Sequence, residues 1–258
     1  MTPNKHIQFS ILLISISIAA EVAFITKLFP ITDQLYAYLH LFLMALLIGS
    51  QFSLSRNNKP GTFNYALWFG TGTLVTAIGD YVNSGASTVT PVSNKLTFAL
   101  FLFGVGYIIY NVVLWKINQE LFKKKQSEFS KKKYLFVIPI IAINLIGWIQ
   151  HVAPNVKPFD MLYYGSFIFN LTIYVAMPLF GLWYYHNTGW KVNGLVIFIG
   201  TLLIPYSDLI LFYCWMKDVT NPTQPGLLLY AANWILYFGG QILICMLPAF
   251  IAIEAEER

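Results

Sequence analysis

Residues 7–29 read IQFSILLISISIAAEVAFITKLF, and Glu21 and Lys27 are the only charged side chains in this run. An α-helix needs about 20 apolar residues to cross a hydrocarbon core of roughly 30 Å. The small residues Ala19 and Ala20 resemble a signal-peptide cleavage site, but the apolar run continues beyond them and is too long for a cleaved signal. We therefore interpret this stretch as the first of a set of membrane-spanning helices.

Similar apolar stretches fill most of the remaining sequence. Hydrophobic residues make up 57% of the chain and charged residues only 10%, too few to cover the surface of a soluble domain of this length. The sequence predicts an all-α, polytopic membrane protein, a bundle of eight transmembrane helices in a single integral membrane domain over residues 1–258. The predicted spans are 7–29, 32–54, 63–83, 96–118, 134–154, 160–185, 192–216 and 226–253.

The basic residues are distributed unevenly between the two predicted membrane faces. Eight spans place both termini and the even-numbered loops on one side, which then carries twelve of the 16 basic residues, including the clusters 123–125 and 131–133. The other side carries Lys27, Lys95, Lys157 and Lys217. The positive-inside rule predicts that both termini are cytoplasmic. The net charge of +5 thus arises mainly from basic residues that set the membrane topology. These residues also favour contact with anionic membrane lipids. Nucleic-acid binding is not expected.

Three carboxylates lie inside predicted spans. Glu21, Asp80 and Asp208 occur in the first, third and seventh spans, each about 14–16 residues from the start, or ~21–24 Å along a helix. These three helices run in the same direction, so the carboxylates should lie at similar depth. An ionised side chain in hydrocarbon is costly and usually faces the protein interior. The sequence therefore predicts that the three carboxylates converge on one polar cavity.

Other polar side chains are expected at a similar depth or slightly deeper. Taken singly, such side chains commonly form hydrogen bonds between helices, with contacts worth about 0.6 kcal/mol on average. A lone buried aspartate or histidine often has the same structural role. Their shared depth favours a cavity that opens to the extracytoplasmic side. The supporting candidates are His40, Thr76, Tyr110, Asn111, Ser207, Asn233, Tyr237 and Gln241.

The sequence contains few residues of the types that usually bind metals or cofactors. Cys214 and Cys245 both lie in apolar spans without metal-type spacing, and His40 is the one histidine deep in a span. The sequence therefore predicts neither a metal nor a cofactor. A retinal protein is rejected because spans seven and eight contain no lysine before Lys217 at the boundary. A proton-coupled transporter would also place carboxylates at mid-depth, and it remains an alternative although no internal repeat is evident.

Four segments carry a resemblance to a known family. Gly72-Thr-Leu-Val-Thr-Ala-Ile-Gly79-Asp80 resembles the G-x-x-x-[ST]-x-x-G-D segment of the YhhN-like lysoplasmalogenase family. Gly200-Thr-Leu-Leu-Ile-Pro-Tyr-Ser207-Asp208 is similar to its later G-x-x-x-x-x-x-S-D segment, and Tyr237-Phe-Gly-Gly-Gln241-Ile-Leu-Ile244 to its closing Y-x-x-x-Q-x-L-I run. Ala20-Glu21 is similar to an early Ala-Glu pair. The order and spacing fit nearly the whole chain, and the resemblance implies an eight-helix fold.

The resemblance implies a membrane-embedded hydrolase that acts on lysophospholipids. Such enzymes cleave the vinyl ether of lysoplasmalogens and release a fatty aldehyde and glycerophosphoethanolamine or glycerophosphocholine. Asp80 and Asp208 would supply the acid and the base, with the assignment between them left open. Glu21 would share the proton or position water, and His40 would supply a hydrogen-bond donor. We expect the protein in the bacterial inner membrane; its oligomeric state is not predicted.

Two departures from the family pattern leave a second function open. A Lys-Pro pair usual near the start of the second helix is absent, and Tyr38-Leu39-His40 occupies that region. A histidine usual in the fourth helix is also absent, with Tyr110 or Asn111 in its place. The alternative function is therefore a lipid-binding or proton-coupled transport protein on the same fold, without hydrolase activity.

Overall fold

The chain is helical throughout the part that the structure describes. This computed structural model describes residues 1–28, 33–57, 63–83, 92–125, 133–155, 161–216 and 224–256, and these ranges contain no β-strand. The predicted all-α fold class is confirmed. The α-helices in these ranges are α1 (Pro3–Ile25), α2 (Asp33–Ser55), α3 (Tyr65–Asn83), α4 (Val92–Lys125), α5 (Lys133–Gly147), α6 (Met161–Phe169), α7 (Ala176–Asn187), α8 (Val192–Met216), α9 (Gln224–Cys245) and α10 (Leu247–Glu256).

Helix length and composition identify a polytopic membrane protein. Six stretches in the described residues are long and apolar enough to cross a membrane: Pro3–Ile25, Leu35–Ser55, Thr97–Glu120, Tyr163–Asn187, Val192–Leu211 and Leu228–Ala255. A shorter apolar helix covers Ile138–Gln150, in the predicted fifth span. The predicted third span corresponds to α3, where glycines, threonines and Asp80 lower the hydropathy.

Prolines account for the irregular parts of three predicted spans. π-Helical turns cover Trp148–Val152 and Asn170–Val175, and they precede Pro154 and Pro178. Proline has no N–H to bond the carbonyl four residues earlier, so the preceding turn widens. Pro248 has a larger effect, because the helix of the eighth span divides into α9 and α10 around Met246. Leu228–Ala255 is nevertheless long and apolar enough to cross the membrane as a single span, in agreement with the prediction.

The described helices form two compact units. Unit 1 contains Met1–Tyr110 and Phe238–Arg258, and unit 2 contains Asn111–Tyr237. In unit 1, α2 packs against α1 and α3, and α10 packs against α1. In unit 2, α7 packs against α8, and the π-helical turn Asn170–Val175 packs against α5 and α8. The boundary between the units falls inside α4 and inside α9. The single domain over residues 1–258 stays a prediction.

Two glycines in unit 1 bring α3 and α4 together. A Cβ atom added at Gly106 would lie 2.5 Å from Thr76 Cγ2 and 2.9 Å from the backbone oxygen of Gly72. A Cβ atom added at Gly72 would lie 2.6 Å from Tyr110 Cε1. These distances are too short for any larger residue unless the helices move apart. The glycine pair thereby places Tyr110 of α4 against the polar face of α3.

Candidate functional site

Asp80 lies on α3 in unit 1, close to a buried tyrosine. Its side chain is partly exposed, and it lies one helical turn beyond the fully buried Thr76. Asp80 also interacts electrostatically with Tyr110. The close crossing of α3 and α4 thus gives this predicted catalytic carboxylate a phenol as its neighbour.

Tyr110 belongs to a buried hydrogen-bond network that joins three helices. Its hydroxyl donates to Gln241 Oε1 and lies 2.7 Å from Thr73 Oγ1. Gln241 Nε2 donates to Thr76 Oγ1 at 3.3 Å, and Thr76 Oγ1 donates to the Thr73 carbonyl at 3.0 Å. Cys245 Sγ lies 3.5 Å from Thr73 Oγ1. We call Thr73, Thr76, Tyr110, Gln241 and Cys245 the tyrosine network.

The tyrosine network brings together three of the predicted residues and adds two. Thr76, Tyr110 and Gln241 were predicted from their depth, whereas Thr73 and Cys245 were not. Their spacing offered a signal, since Thr73 lies three residues before Thr76 and Cys245 four residues after Gln241 on the same helix faces. Asn111 is also buried and belongs to unit 2, whereas the Tyr110 hydroxyl makes the hydrogen bonds of the network.

Glu21 forms a second buried polar cluster in unit 1. Its Oε2 accepts a hydrogen bond from the Tyr36 hydroxyl at 2.6 Å, and its Oε1 lies 2.8 Å from His40 Nε2. Glu21 is completely buried, and the Tyr36 ring packs against both the Phe24 and His40 rings. Tyr36 was missed from the sequence, although it precedes His40 by one turn. We call Glu21, Tyr36 and His40 the glutamate cluster.

The break at Pro248 creates a third polar contact in unit 1. The backbone N–H groups of Ala249 and Phe250 both bond the Met246 carbonyl, so Ala249 is not bonded to the carbonyl four residues before it. That carbonyl belongs to Cys245. It accepts a hydrogen bond from Gln51 Nε2 at 2.6 Å and lies 3.0 Å from His6 Nε2. His6 and Gln51 were not predicted as site residues.

Asp208 lies on α8 in unit 2 and is buried, with 5% of its surface exposed. It interacts electrostatically with Tyr174, a buried residue of the π-helical turn that packs on α8. The neighbouring Ser207 donates to the Ile204 carbonyl of its own helix at 2.7 Å. Tyr174 was not predicted, because no sequence pattern pairs it with Asp208.

The remaining candidates also lie in unit 2. Asn233 Oδ1 is buried, and no hydrogen bond to it is found within the described residues. Tyr237 is buried, with its ring 5.7 Å from the ring of Trp234. The distance between Asp80 in unit 1 and Asp208 in unit 2, and the convergence of Glu21 with both, stay predictions.

The described residues offer no group of three or more His, Cys, Asp or Glu side chains that could hold a metal ion. The polar groups described above are carboxyl, phenol, imidazole, amide and hydroxyl groups, all of which can hold water or move protons. The arrangement is therefore suited to acid–base chemistry.

Comparison with known proteins identifies the family. The sequence profile of the YhhN family matches residues 35–247, which is most of the chain. The chain belongs to the YhhN family. No curated protein and no solved structure matches the chain.

The match covers most of the candidate residues in this member of the YhhN family. Asp80, Asp208 and the whole tyrosine network lie within residues 35–247, whereas Glu21 precedes the matched region. The glutamate cluster is thus shared between a matched helix, α2, and an unmatched one, α1. The resemblance noted from the sequence motifs is confirmed at the level of the family.

Proposed function

We propose that this protein hydrolyses the vinyl ether of lysoplasmalogens in the bacterial inner membrane. The observation that carries the proposal is that each aspartate lies in an apolar helix and interacts electrostatically with a buried phenol. Asp80 interacts in this way with Tyr110, and Asp208 with Tyr174. Membership of the YhhN family adds support, because the motifs that resemble the lysoplasmalogenase pattern contain both aspartates.

The chemistry of a vinyl ether explains the need for two carboxyl groups. Protonation of the alkene carbon remote from the ether oxygen gives an oxocarbenium ion, and water adds to the carbon that carries this oxygen and gives up a proton. The resulting hemiacetal collapses into the fatty aldehyde and the glycerol alcohol as its hydroxyl proton passes to the departing oxygen. Removal from water favours the protonated form of a carboxyl group, so one aspartate supplies the acid. The other accepts a proton from the attacking water.

A panel of lysolipids tests the reaction. Purified full-length protein in lipid nanodiscs is incubated with vinyl-ether, acyl and saturated alkyl-ether lysophospholipids, and aldehyde is measured by coupled reduction. We expect aldehyde from the vinyl-ether substrate alone, and no loss of turnover after treatment with a chelator. Release of fatty acid from the acyl substrate, without aldehyde from the vinyl ether, would replace this proposal with an esterase.

Substitution of the aspartates tests the mechanism. Asp80→Asn and Asp208→Asn retain side-chain size but remove the titratable proton. Each should lower kcat by about 100-fold or more, the lower bound for loss of general acid–base catalysis, with a nearly unchanged yield of folded protein. Tyr206→Phe, on the exposed face of α8, is the control. Near-normal turnover in both aspartate variants would rule out the mechanism.

The glutamate cluster favours a second candidate function. A buried carboxylate in contact with an imidazole is suited to proton-coupled transport. In that case the protein would bind lysolipid without releasing aldehyde, and an imposed pH gradient would drive lysolipid between the leaflets of a liposome. Aldehyde release from the purified protein would reject this alternative as the main function.

A further inference from the structure

Unit 2 contains two buried polar side chains to which the proposed mechanism assigns no chemical step. Asn170 and Tyr174 lie four residues apart on the π-helical turn Asn170–Val175, and each has only 2% of its surface exposed. Residues with this spacing lie on the same side of a helix. π-Helical turns of this kind occur frequently at functional sites.

One polar atom of each side chain has no hydrogen-bond partner within the described residues. Asn170 Nδ2 donates to the Asn144 carbonyl at 3.0 Å, which leaves Asn170 Oδ1 as an unused acceptor. The Tyr174 hydroxyl is an unused donor and acceptor. Buried polar atoms are rarely left unpaired in folded proteins, so two on one turn indicate a ligand.

The turn that carries the two atoms packs against α8, the helix of the predicted catalytic residue Asp208. Asp208 is itself buried, and it interacts electrostatically with Tyr174. The matching ligand must accept a hydrogen bond from a phenol and donate one to an amide oxygen. A hydroxyl group or a water molecule does both, whereas a phosphate or an ammonium group does only one.

We propose that Asn170 and Tyr174 form a binding site for a hydroxyl group beside Asp208. This inference rests on the proposed function for its choice of ligand. A lysophospholipid has a free hydroxyl on the central glycerol carbon, which a two-chain phospholipid lacks. Water, the second reactant, is the other source of the same chemistry. The site would either select lysolipids or hold the attacking water for Asp208.

A binding measurement tests the site without any hydrolysis. Two probes are compared. One is a saturated alkyl-ether lysophospholipid, which has no vinyl ether to cleave, and the other is its analogue with hydrogen in place of the glycerol hydroxyl. Both are titrated into the full-length protein in nanodiscs. If the ligand is the lipid hydroxyl, the wild type should bind the hydroxyl form about tenfold more tightly. Tyr174→Phe and Asn170→Leu should remove this preference, and Tyr206→Phe should retain it.

A turnover measurement identifies water as the ligand. In that case Tyr174→Phe should lower kcat about tenfold for vinyl-ether substrates with and without the hydroxyl, with KM unchanged. Tyr174→Phe removes one oxygen atom from a buried ring, so correct folding is checked by size-exclusion chromatography. The inference is overturned if both variants retain the wild-type binding preference and kcat. If the wild type releases no aldehyde, the proposed function fails, and the site then depends on the binding test alone: a wild type without preference for the hydroxyl form overturns the inference.

Discussion

At the scale of single residues, the tyrosine network already uses the hydroxyl hydrogens of its members. The Thr73 hydroxyl donates to the Phe69 carbonyl at 2.8 Å, the Tyr110 hydroxyl to Gln241 Oε1, and the Thr76 hydroxyl to the Thr73 carbonyl. Gln241 Nε2 in turn donates to Thr76 Oγ1. The network is therefore better suited to holding Tyr110 in one orientation than to moving protons.

Removal of the Tyr110 hydroxyl should destabilise the protein. Tyr110→Phe leaves Gln241 Oε1 buried without its donor, and we expect a loss of about 1–3 kcal/mol in the free energy of unfolding. Gln241→Leu should cost a similar amount, while the double variant should cost less than the sum because both changes break the same bond. Thermal unfolding in detergent measures all three, with Tyr206→Phe as control. Additive losses would contradict a shared bond. On turnover, Tyr110→Phe should have a smaller effect than either aspartate variant.

The glutamate cluster should show stronger coupling. Glu21→Leu removes the contact between Glu21 and His40 from one side, and His40→Leu removes it from the other and leaves the buried carboxylate with the Tyr36 hydroxyl, so each single change should cost about 3–5 kcal/mol. The double variant replaces the contact between them with apolar side chains and should recover much of that loss. The measurement is a double-mutant cycle of thermal stability. A double variant as unstable as the sum of the two single variants would show that Glu21 and His40 act independently.

At the scale of helices, the crossing of α3 and α4 sets the position of Asp80 relative to Tyr110. Gly106→Ala should push the two helices apart, since the added methyl group meets both Thr76 and the Gly72 backbone. We expect lower thermal stability together with reduced turnover. Gly49→Ala on α2 is the control, because nothing lies within 4 Å of its added Cβ, and it should be neutral or slightly stabilising. Equal behaviour of the two variants would mean that the crossing tolerates a wider spacing.

Helices were easier to predict than their irregularities. The lengths of apolar runs locate spans within a few residues, as in Val192–Met216 of α8, because the membrane thickness dictates the length of a span. A proline in a span has several outcomes, however. Pro205 lies within a continuous helix, Pro178 follows a π-helical turn, and Pro248 breaks its helix. The outcome depends on neighbouring donors and acceptors, which a single sequence does not display.

The candidate site was predicted only in part for a related reason. Depth along a helix follows from counting residues, so Thr76, Tyr110 and Gln241 were found. Rotation about the helix axis, and hence the choice of Tyr110 over Asn111 for the network, depends on packing between helices. Tyr174 depends on the widened turn before Pro178 and had no signal of its own in the sequence.

At the scale of the whole molecule, the distribution of basic residues predicts cytoplasmic termini, which cysteine labelling can test. In a variant without its native cysteines, we expect a cysteine introduced at Lys27 to react with a membrane-impermeant maleimide in intact cells. A cysteine at Asn57 should react only after the cells are opened. Both positions are exposed; Lys27 follows the end of α1, and Asn57 follows the end of α2. The reverse pattern, or labelling of both positions in intact cells, would refute cytoplasmic termini.

The Cys245 carbonyl, at the end of α9, contacts His6 of α1 across 239 residues of sequence. During synthesis at about 5–20 residues per second, roughly 12–48 s separate the appearance of these two residues. Over that interval α1 lies in the membrane without the carbonyl that its buried imidazole contacts, and without α10, the helix that packs on it. The first helix thus inserts early but completes its packing only after α9 and α10 have been synthesised.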